Sequence, residues 1–181
     1  MATDGITDFV YGVVDTTDRL QHPLIRRLHD DWVAAALVNG GLPGHGFADP
    51  LRLSYLLGLL VVMDVVRPPH ADGFAGPLRF RYRLVGTDVV ARRQRDVTGE
   101  FMDRHFDPGV ASTGPLVCSL AVEQRRPVYL TAMRHMYEKH YPLEYLVLPL
   151  VDSGGDRIDR LVAAQIYPPE APRVPYGSGR A

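Results

Sequence analysis

The sequence has very little cysteine, a single lysine and no long apolar run. Cys118 is the only cysteine among 181 residues, so the chain can form neither an internal disulfide nor a metal site with several cysteines. Its longest apolar segment, residues 56–63, is far shorter than the roughly 20 residues of a membrane-spanning helix. The N-terminal residues lack the basic start and apolar core of a signal peptide. These absences fit a reducing compartment, and we expect a cytoplasmic protein that does not enter a membrane.

Neither sign of charge is in excess. Twenty basic residues face 21 acidic ones, for a net charge of −1, so nothing global favours nucleic acid or an acidic lipid surface. Lys139 is the only lysine, and the remaining basic residues are arginines. An apolar content of 46% is that of an ordinary globular protein, and the length suits one domain.

The most informative stretch is residues 79–101. It begins with apolar side chains that alternate with other residues, the period-2 pattern of a half-buried strand: Phe80, Tyr82 and Leu84. Gly86 ends this strand, and a short helix is predicted over residues 89–93. Residues 96–99 then form a second turn that is rich in capping residues.

Periodicity elsewhere predicts two longer helices, over residues 23–39 and 114–126, and four further strands: 59–66, 128–136, 142–151 and 158–167. Strands joined by tight turns are antiparallel, and helices grouped on one face of such a sheet give an α+β fold. We divide the chain into an N-terminal extension (residues 1–21), a domain (22–167) and a disordered tail (168–181) that is rich in proline and glycine.

The central stretch resembles a bacterial family of small, stand-alone PAS-domain proteins. The family pattern F-x-Y-R-L-V-G-T matches residues 80–87, and D-x-T-G matches residues 96–99. The similarity extends from the His22-Pro23 helix start to the closing hairpin, and so covers about residues 22–167. One departure is Gln94, which stands where we expect a glycine two residues before the aspartate. If that glycine serves a turn of positive φ, the join between helix and turn differs here.

The resemblance implies a five-stranded antiparallel sheet with helices on one face, plus an N-terminal helix. It also implies a non-enzymatic sensory domain that acts in signalling through protein–protein contacts, without catalytic residues, a metal site, flavin or haem. A small ligand would lie between the sheet and the helices. Our candidate lining residues are Tyr82, Met102, Tyr129, Met133 and Leu146; Cys118 is expected to be a small buried residue.

The N-terminal helix has an apolar stripe that includes Leu24, Leu28 and Trp32. Two interpretations stay open for it. The stripe either covers the domain's own core or forms a dimer interface anchored by the tryptophan. We predict a homodimer that also contacts a signalling partner, which the sequence does not identify.

Two other functions remain as alternatives. A small enzyme or carrier for a hydrophobic acid or ester would use His135, Glu144 or Asp64 as acid or base, which requires these groups to converge in one pocket. An arginine-rich binder of nucleotides or nucleic acid would need a contiguous basic face built from Arg79, Arg81, Arg83, Arg92, Arg93 and Arg95. Interleaved aspartates and glutamates weaken that second hypothesis.

Overall fold

Six strands and three α-helices make up the structure, a computed structural model that describes residues 5–68, 77–136 and 138–173. The strands are β1 (Gly5–Val13), β2 (Leu60–Val66), β3 (Arg79–Val85), β4 (Val128–Met136), β5 (Lys139–Val151) and β6 (Ile158–Ile166). The helices are α1 (Pro23–Asn39), α2 (Thr87–Arg93) and α3 (Pro108–Gln124). Short 3-10 helices occupy Thr17–Arg19, His45–Ala48, Ser54–Leu59 and Met102–Arg104.

The strands form one antiparallel sheet in the order β1-β4-β5-β6-β2-β3. This confirms the predicted α+β class and the antiparallel pairing, but the prediction of five strands was wrong. The sixth strand, β1, comes from the predicted N-terminal extension and pairs with β4 from Gly5↔His135 to Val13↔Val128. The short apolar run of residues 9–14 is compatible with either a strand or a docked extension, and the pairing with β4 shows that it is a strand.

Helices cover both faces of the sheet. Alternate residues of β5 belong to two separate cores: Leu146, Leu148 and Leu150 lie on the α1 side, and Leu143, Val147 and Val151 lie on the α3 side. The expectation of helices on one face therefore holds for α2 and α3, whereas the N-terminal helix α1 occupies the opposite face. A strand buried on both faces needs apolar residues at successive positions, which explains the nearly continuous apolar sequence of β5.

The apolar stripe of α1 packs against the chain's own sheet. Leu28 and Trp32 are buried, and Leu24 is half-buried. The indole Nε1 of Trp32 donates a hydrogen bond to the Pro149 carbonyl at 3.0 Å. A second copy of the protein would therefore have to use a different surface of this helix.

Helix α3 begins six residues earlier than the sequence indicated. Asp107 is its N-cap, and the carboxylate Oδ1 accepts hydrogen bonds from the backbone N–H of Gly109 at 3.0 Å and of Val110 at 3.4 Å. Pro108 occupies the first turn, where the missing N–H leaves no helical hydrogen bond unmade. The predicted helix begins only at residue 114, but an aspartate followed directly by a proline is also a helix start.

The chain continues in contact with the domain after β6. Ala171 is only 2% exposed, and its carbonyl accepts a hydrogen bond from Arg92 Nη1 at 2.6 Å. The first residues of the predicted tail thus pack against α2. The rest of that tail, residues 174–181, and most of the predicted connection between β2 and β3, residues 69–76, lie outside the described residues. No helix in the described ranges is long and apolar enough to cross a membrane.

Replacing Trp32 by alanine should destabilise the protein by about 3–5 kcal/mol, because the change opens a cavity in the core and removes the bond to Pro149. Leu37→Ala is a matched control on the same helix, since Leu37 is 78% exposed, and should change stability by less than about 0.5 kcal/mol. Urea unfolding measures both values. A stable Trp32→Ala variant with an altered oligomeric state would instead support the interface interpretation.

Replacing Gln94 by glycine should raise stability by about 0.5–1 kcal/mol. Gln94 lies at the C-terminus of α2 with φ 59°, in the left-handed region. This backbone conformation costs more free energy for residues with a Cβ atom than for glycine. Gln94→Ala, which keeps the Cβ, is the control for loss of the side chain. Equal stabilities of the two variants in urea would show that backbone strain is not the cause.

Candidate functional site

A small cavity lies between the sheet and helix α3. Its volume is about 40 Å³, which exceeds the roughly 10–15 Å³ that one water molecule requires on this measure. Most of its wall is apolar and includes Ile6, Phe9, Val110, Val117, Leu130 and Leu143. The polar side chains of the wall are Tyr82, Arg93, Tyr145 and Gln165, and sulfur atoms come from Met102 and Cys118.

The arginine in this wall is placed there by helix α2. Val89, Arg92 and Arg93 are spaced i, i+3 and i+4, so they share one helical face, and all three are buried. The nucleic-acid hypothesis places both arginines on an exposed basic face, and long charged residues are indeed seldom buried. The signal it missed is that both arginines continue the stripe begun by Val89.

Arg93 is only 5% exposed and has no carboxylate partner in the described part of the chain. Its Nη2 donates a hydrogen bond to Gln165 Oε1 at 2.9 Å, and its Nη1 lies 3.2 Å from His105 Nε2. The Nε–H group of Arg93 has no acceptor. A guanidinium buried against neutral groups alone is energetically unfavourable, because burial removes hydration that only an opposite charge replaces well.

The contact between Arg93 and His105 joins two hydrogen-bond donors. The backbone N–H of Asp107 donates to His105 Nδ1 at 3.0 Å, so Nδ1 is unprotonated. Burial, reinforced by the charge of Arg93, lowers the pKa of His105 to about 3, so the ring is neutral and its single proton lies on Nε2. Nε2–H therefore faces the Arg93 N–H groups and cannot accept from them.

The interior around this contact carries an excess of positive charge. Among the described residues, the buried charged side chains are Arg92, Arg93, Arg134 and Asp107, three cations and one anion. Asp107 is already paired, because its Oδ2 lies 3.3 Å from Arg134 Nη1. The excess positive charge therefore lies on the arginines of α2, of which Arg93 lines the cavity.

Tyr82 adds a further uncommitted group to the cavity wall. The side chain is 1% exposed, and its hydroxyl has no hydrogen-bond partner in the described ranges. The ring centroid lies 5.9 Å from the guanidinium carbon of Arg93 and 6.0 Å from the ring of His105. Burial raises the pKa of Tyr82, although the nearby Arg93 guanidinium opposes the shift through its charge and a weak contact with the hydroxyl. The hydroxyl is therefore neutral, and its own proton is available to a ligand.

The sulfur atoms of the wall lie close together. Cys118 Sγ is 4.0 Å from Met63 Sδ and 4.0 Å from Met102 Sδ. Burial raises the pKa of the Cys118 thiol far above neutrality, so this cysteine is a protonated packing residue rather than a nucleophile. Its environment matches the role that the sequence suggested.

Two of the five predicted lining residues reach the cavity, Tyr82 and Met102. Tyr129 and Leu146 belong to the core on the α1 side. Met133, four residues after Tyr129 on the same strand, shares its face. Alternation along a strand shows which residues lie together, but it does not show which of the two faces meets the cavity.

The groups proposed for acid–base chemistry do not converge. Glu144 accepts hydrogen bonds from Tyr129 Oη at 2.8 Å and from the backbone of His22 at 3.0 Å. Asp64, on β2, pairs with arginines of its own sheet region: Arg81, Arg83 and Arg160. His135 is hydrogen-bonded to Thr7 and lies against the ring of His140, 3.8 Å between centroids. In the described ranges no cluster of three potential metal ligands includes this histidine pair.

The arginines proposed for binding nucleic acid do not form one basic face. Arg92 and Arg93 are buried, and the exposed members are each paired with a carboxylate: Arg79 with Asp103, Arg81 and Arg83 with Asp64, and Arg95 with Glu100. Three carboxylates, one of them shared by Arg81 and Arg83, reduce the charge of these four exposed arginines and weaken the field that phosphate binding would need.

Comparison with known proteins supplies no function. No known protein family matches this chain, and no curated protein matches its sequence. The geometry of the cavity and its charges therefore has to carry any functional assignment.

Acidification should destabilise the protein through His105. Between the pKa of the unfolded chain, about 6.5, and the folded value of about 3, only the unfolded state binds the proton. Stability therefore falls as the pH falls, by about 2 kcal/mol between about pH 7.5 and pH 5. Urea unfolding at both pH values measures this loss.

The matched control for that measurement is His105→Gln, which retains an acceptor for the Asp107 N–H but does not titrate. This variant should lose about 2 kcal/mol less over the same interval. Parallel losses in the two proteins would mean that His105 is not a buried neutral base.

Proposed function

We propose that this protein is a non-enzymatic sensory domain of the PAS type, which binds a small ligand in the interior cavity and signals to a protein partner. The observation that carries the proposal is Arg93, a buried guanidinium that has no carboxylate partner among the described residues and lies at the wall of the cavity between the sheet and α3. An unpaired charge in such a position is a common property of ligand sites.

The architecture supports the proposal. An antiparallel sheet carries two helices and a 3-10 helix on one face, and the cavity lies between these layers. This is the place where the resemblance implies a ligand. The separation of His135, Glu144 and Asp64 gives no comparable support to an enzyme, and the paired arginines give none to a nucleic-acid binder.

A route from ligand to partner begins at two consecutive residues of α2. Arg93 faces the cavity, and Arg92 holds the carbonyl of Ala171, in the segment that leaves the sheet. Arg173 of the same segment pairs with Asp88 at the start of α2. A ligand that draws Arg93 towards the cavity would shift α2 and thereby change how residues 168–173 lie on the surface.

Native mass spectrometry of freshly purified protein, compared with the denatured mass, tests this function. We expect an excess mass that disappears on denaturation, because a buried ligand remains bound through gentle purification. The same spectrum reports whether the protein is the homodimer that we propose.

The result that would contradict the function is the bare chain mass in every preparation, together with no thermal stabilisation by a panel of small acids, amides and amines. The panel matters because a weak ligand is lost during purification but still stabilises the protein when it is added in excess.

A further inference from the structure

We propose that the ligand of this cavity is a short-chain monocarboxylate, of acetate or propionate size, whose carboxylate binds Arg93 and Tyr82. The inference rests on the proposed function and specifies its ligand. It follows from three properties of the site: its hydrogen-bond donors, its charge and the size of the apolar space next to them.

The first property is a cluster of donors without acceptors. Arg93 Nε–H has no partner, and its Nη1 faces the protonated Nε2 of His105 at 3.2 Å. The hydroxyl of Tyr82 lies near the same guanidinium, and its own proton has no acceptor among the described residues. A carboxylate has two oxygens that accept hydrogen bonds in one plane, and it matches the planar fork of a guanidinium.

The second property is charge. Arg134 and Asp107 neutralise each other, whereas Arg93 contacts only neutral side chains. A neutral ligand would leave this guanidinium buried and unpaired. An anion would form a charge-assisted bond in a region of low dielectric, where such bonds are strong.

The third property is the shape of the remaining space. The wall beyond Arg93 and Tyr82 is apolar, with Ile6, Val117 and Leu130 among its residues. The volume of about 40 Å³ is well below the roughly 150 Å³ of an apolar cavity that holds benzene. The space corresponds to roughly three water molecules on the measure used above. It therefore suits only the smallest carboxylates and excludes aromatic and long-chain acids.

Thermal unfolding at constant ionic strength tests the ligand class with four probes: sodium acetate, sodium propionate, acetamide and sodium nitrate. Acetate and propionate should raise the melting temperature saturably, by about 5–10 °C at a hundredfold excess over Kd. Acetamide has the same shape without the charge and should have no effect. Nitrate is a planar anion without an apolar tail, and it tests whether a negative charge alone raises the melting temperature.

Arg93→Met should abolish the response to acetate. It should also leave the ligand-free protein at least as stable as the wild type, because it removes an unpaired buried charge. Arg92→Met is the matched control. Arg92 is the neighbouring buried arginine but is not part of the cavity wall, so this variant should respond to acetate even though it loses its bond to Ala171.

Two further variants cover the case in which Arg93→Met does not fold. Tyr82→Phe removes only the unpartnered hydroxyl and should weaken acetate binding by about tenfold, the effect of one hydrogen bond to a charged group. In Gly114→Ala, the new Cβ would lie 2.6 Å from Met102 Sδ. Met102 must then move. If its side chain moves into the cavity, the affinity for propionate should fall more than the affinity for acetate, because propionate is larger.

The outcomes separate this inference from the function on which it rests. The inference fails if the carboxylates give no saturable shift, if acetamide or nitrate alone acts as well, or if Arg93→Met still responds to acetate. A neutral molecule retained in native spectra of both the wild type and Arg93→Met would overturn the carboxylate and leave the sensory function intact. The absence of any adduct and of any response would remove both.

Discussion

The burial of Arg93 without a counter-charge is the constraint on which the interior of this protein depends. The hydration that a surface arginine keeps is lost here, and the hydrogen bond to Gln165 replaces only part of it. Burial keeps His105 neutral, and the Asp107 N–H that donates to Nδ1 leaves the ring proton on Nε2. The one buried carboxylate of the described chain already serves Arg134 and the start of α3. A negative charge placed in the cavity beside Arg93 would therefore stabilise this interior.

The sheet makes this arrangement possible because it is covered on both faces. Helix α1 closes one face with Trp32 and Leu28, so the other face is left to α2, α3 and the cavity. Strand β1 adds Ile6 and Phe9 to the cavity wall, which makes the N-terminal segment part of the site and not an appendage. The core under α1 and the candidate ligand cavity thus lie on opposite sides of the same strands.

Much of the fold could be predicted from residue patterns. Strands β2 to β6 and helix α1 followed from apolar periodicity and from glycine and proline at their ends. The start of α3 did not, since the predicted helix began only at residue 114. For the site, Tyr82 and Met102 were predicted, whereas Arg93 was considered only as part of an exposed basic face. Two adjacent arginines in so short a helix do not show, from sequence alone, that their side chains are buried.

Residue patterns alone were enough to predict an antiparallel α+β fold, because periodicity and turn residues are local properties of the chain. They also predicted that Cys118 is a packing residue. The packing of helices on the sheet is what turned one face of β4 towards the cavity and excluded Tyr129 from its wall. It alone also brought Arg93, His105 and Tyr82 together from α2, the chain before α3, and β3. The burial and unpaired charge of Arg93 and the tautomer of His105 depend on residues far apart in the chain, so they appear only when the chain is folded.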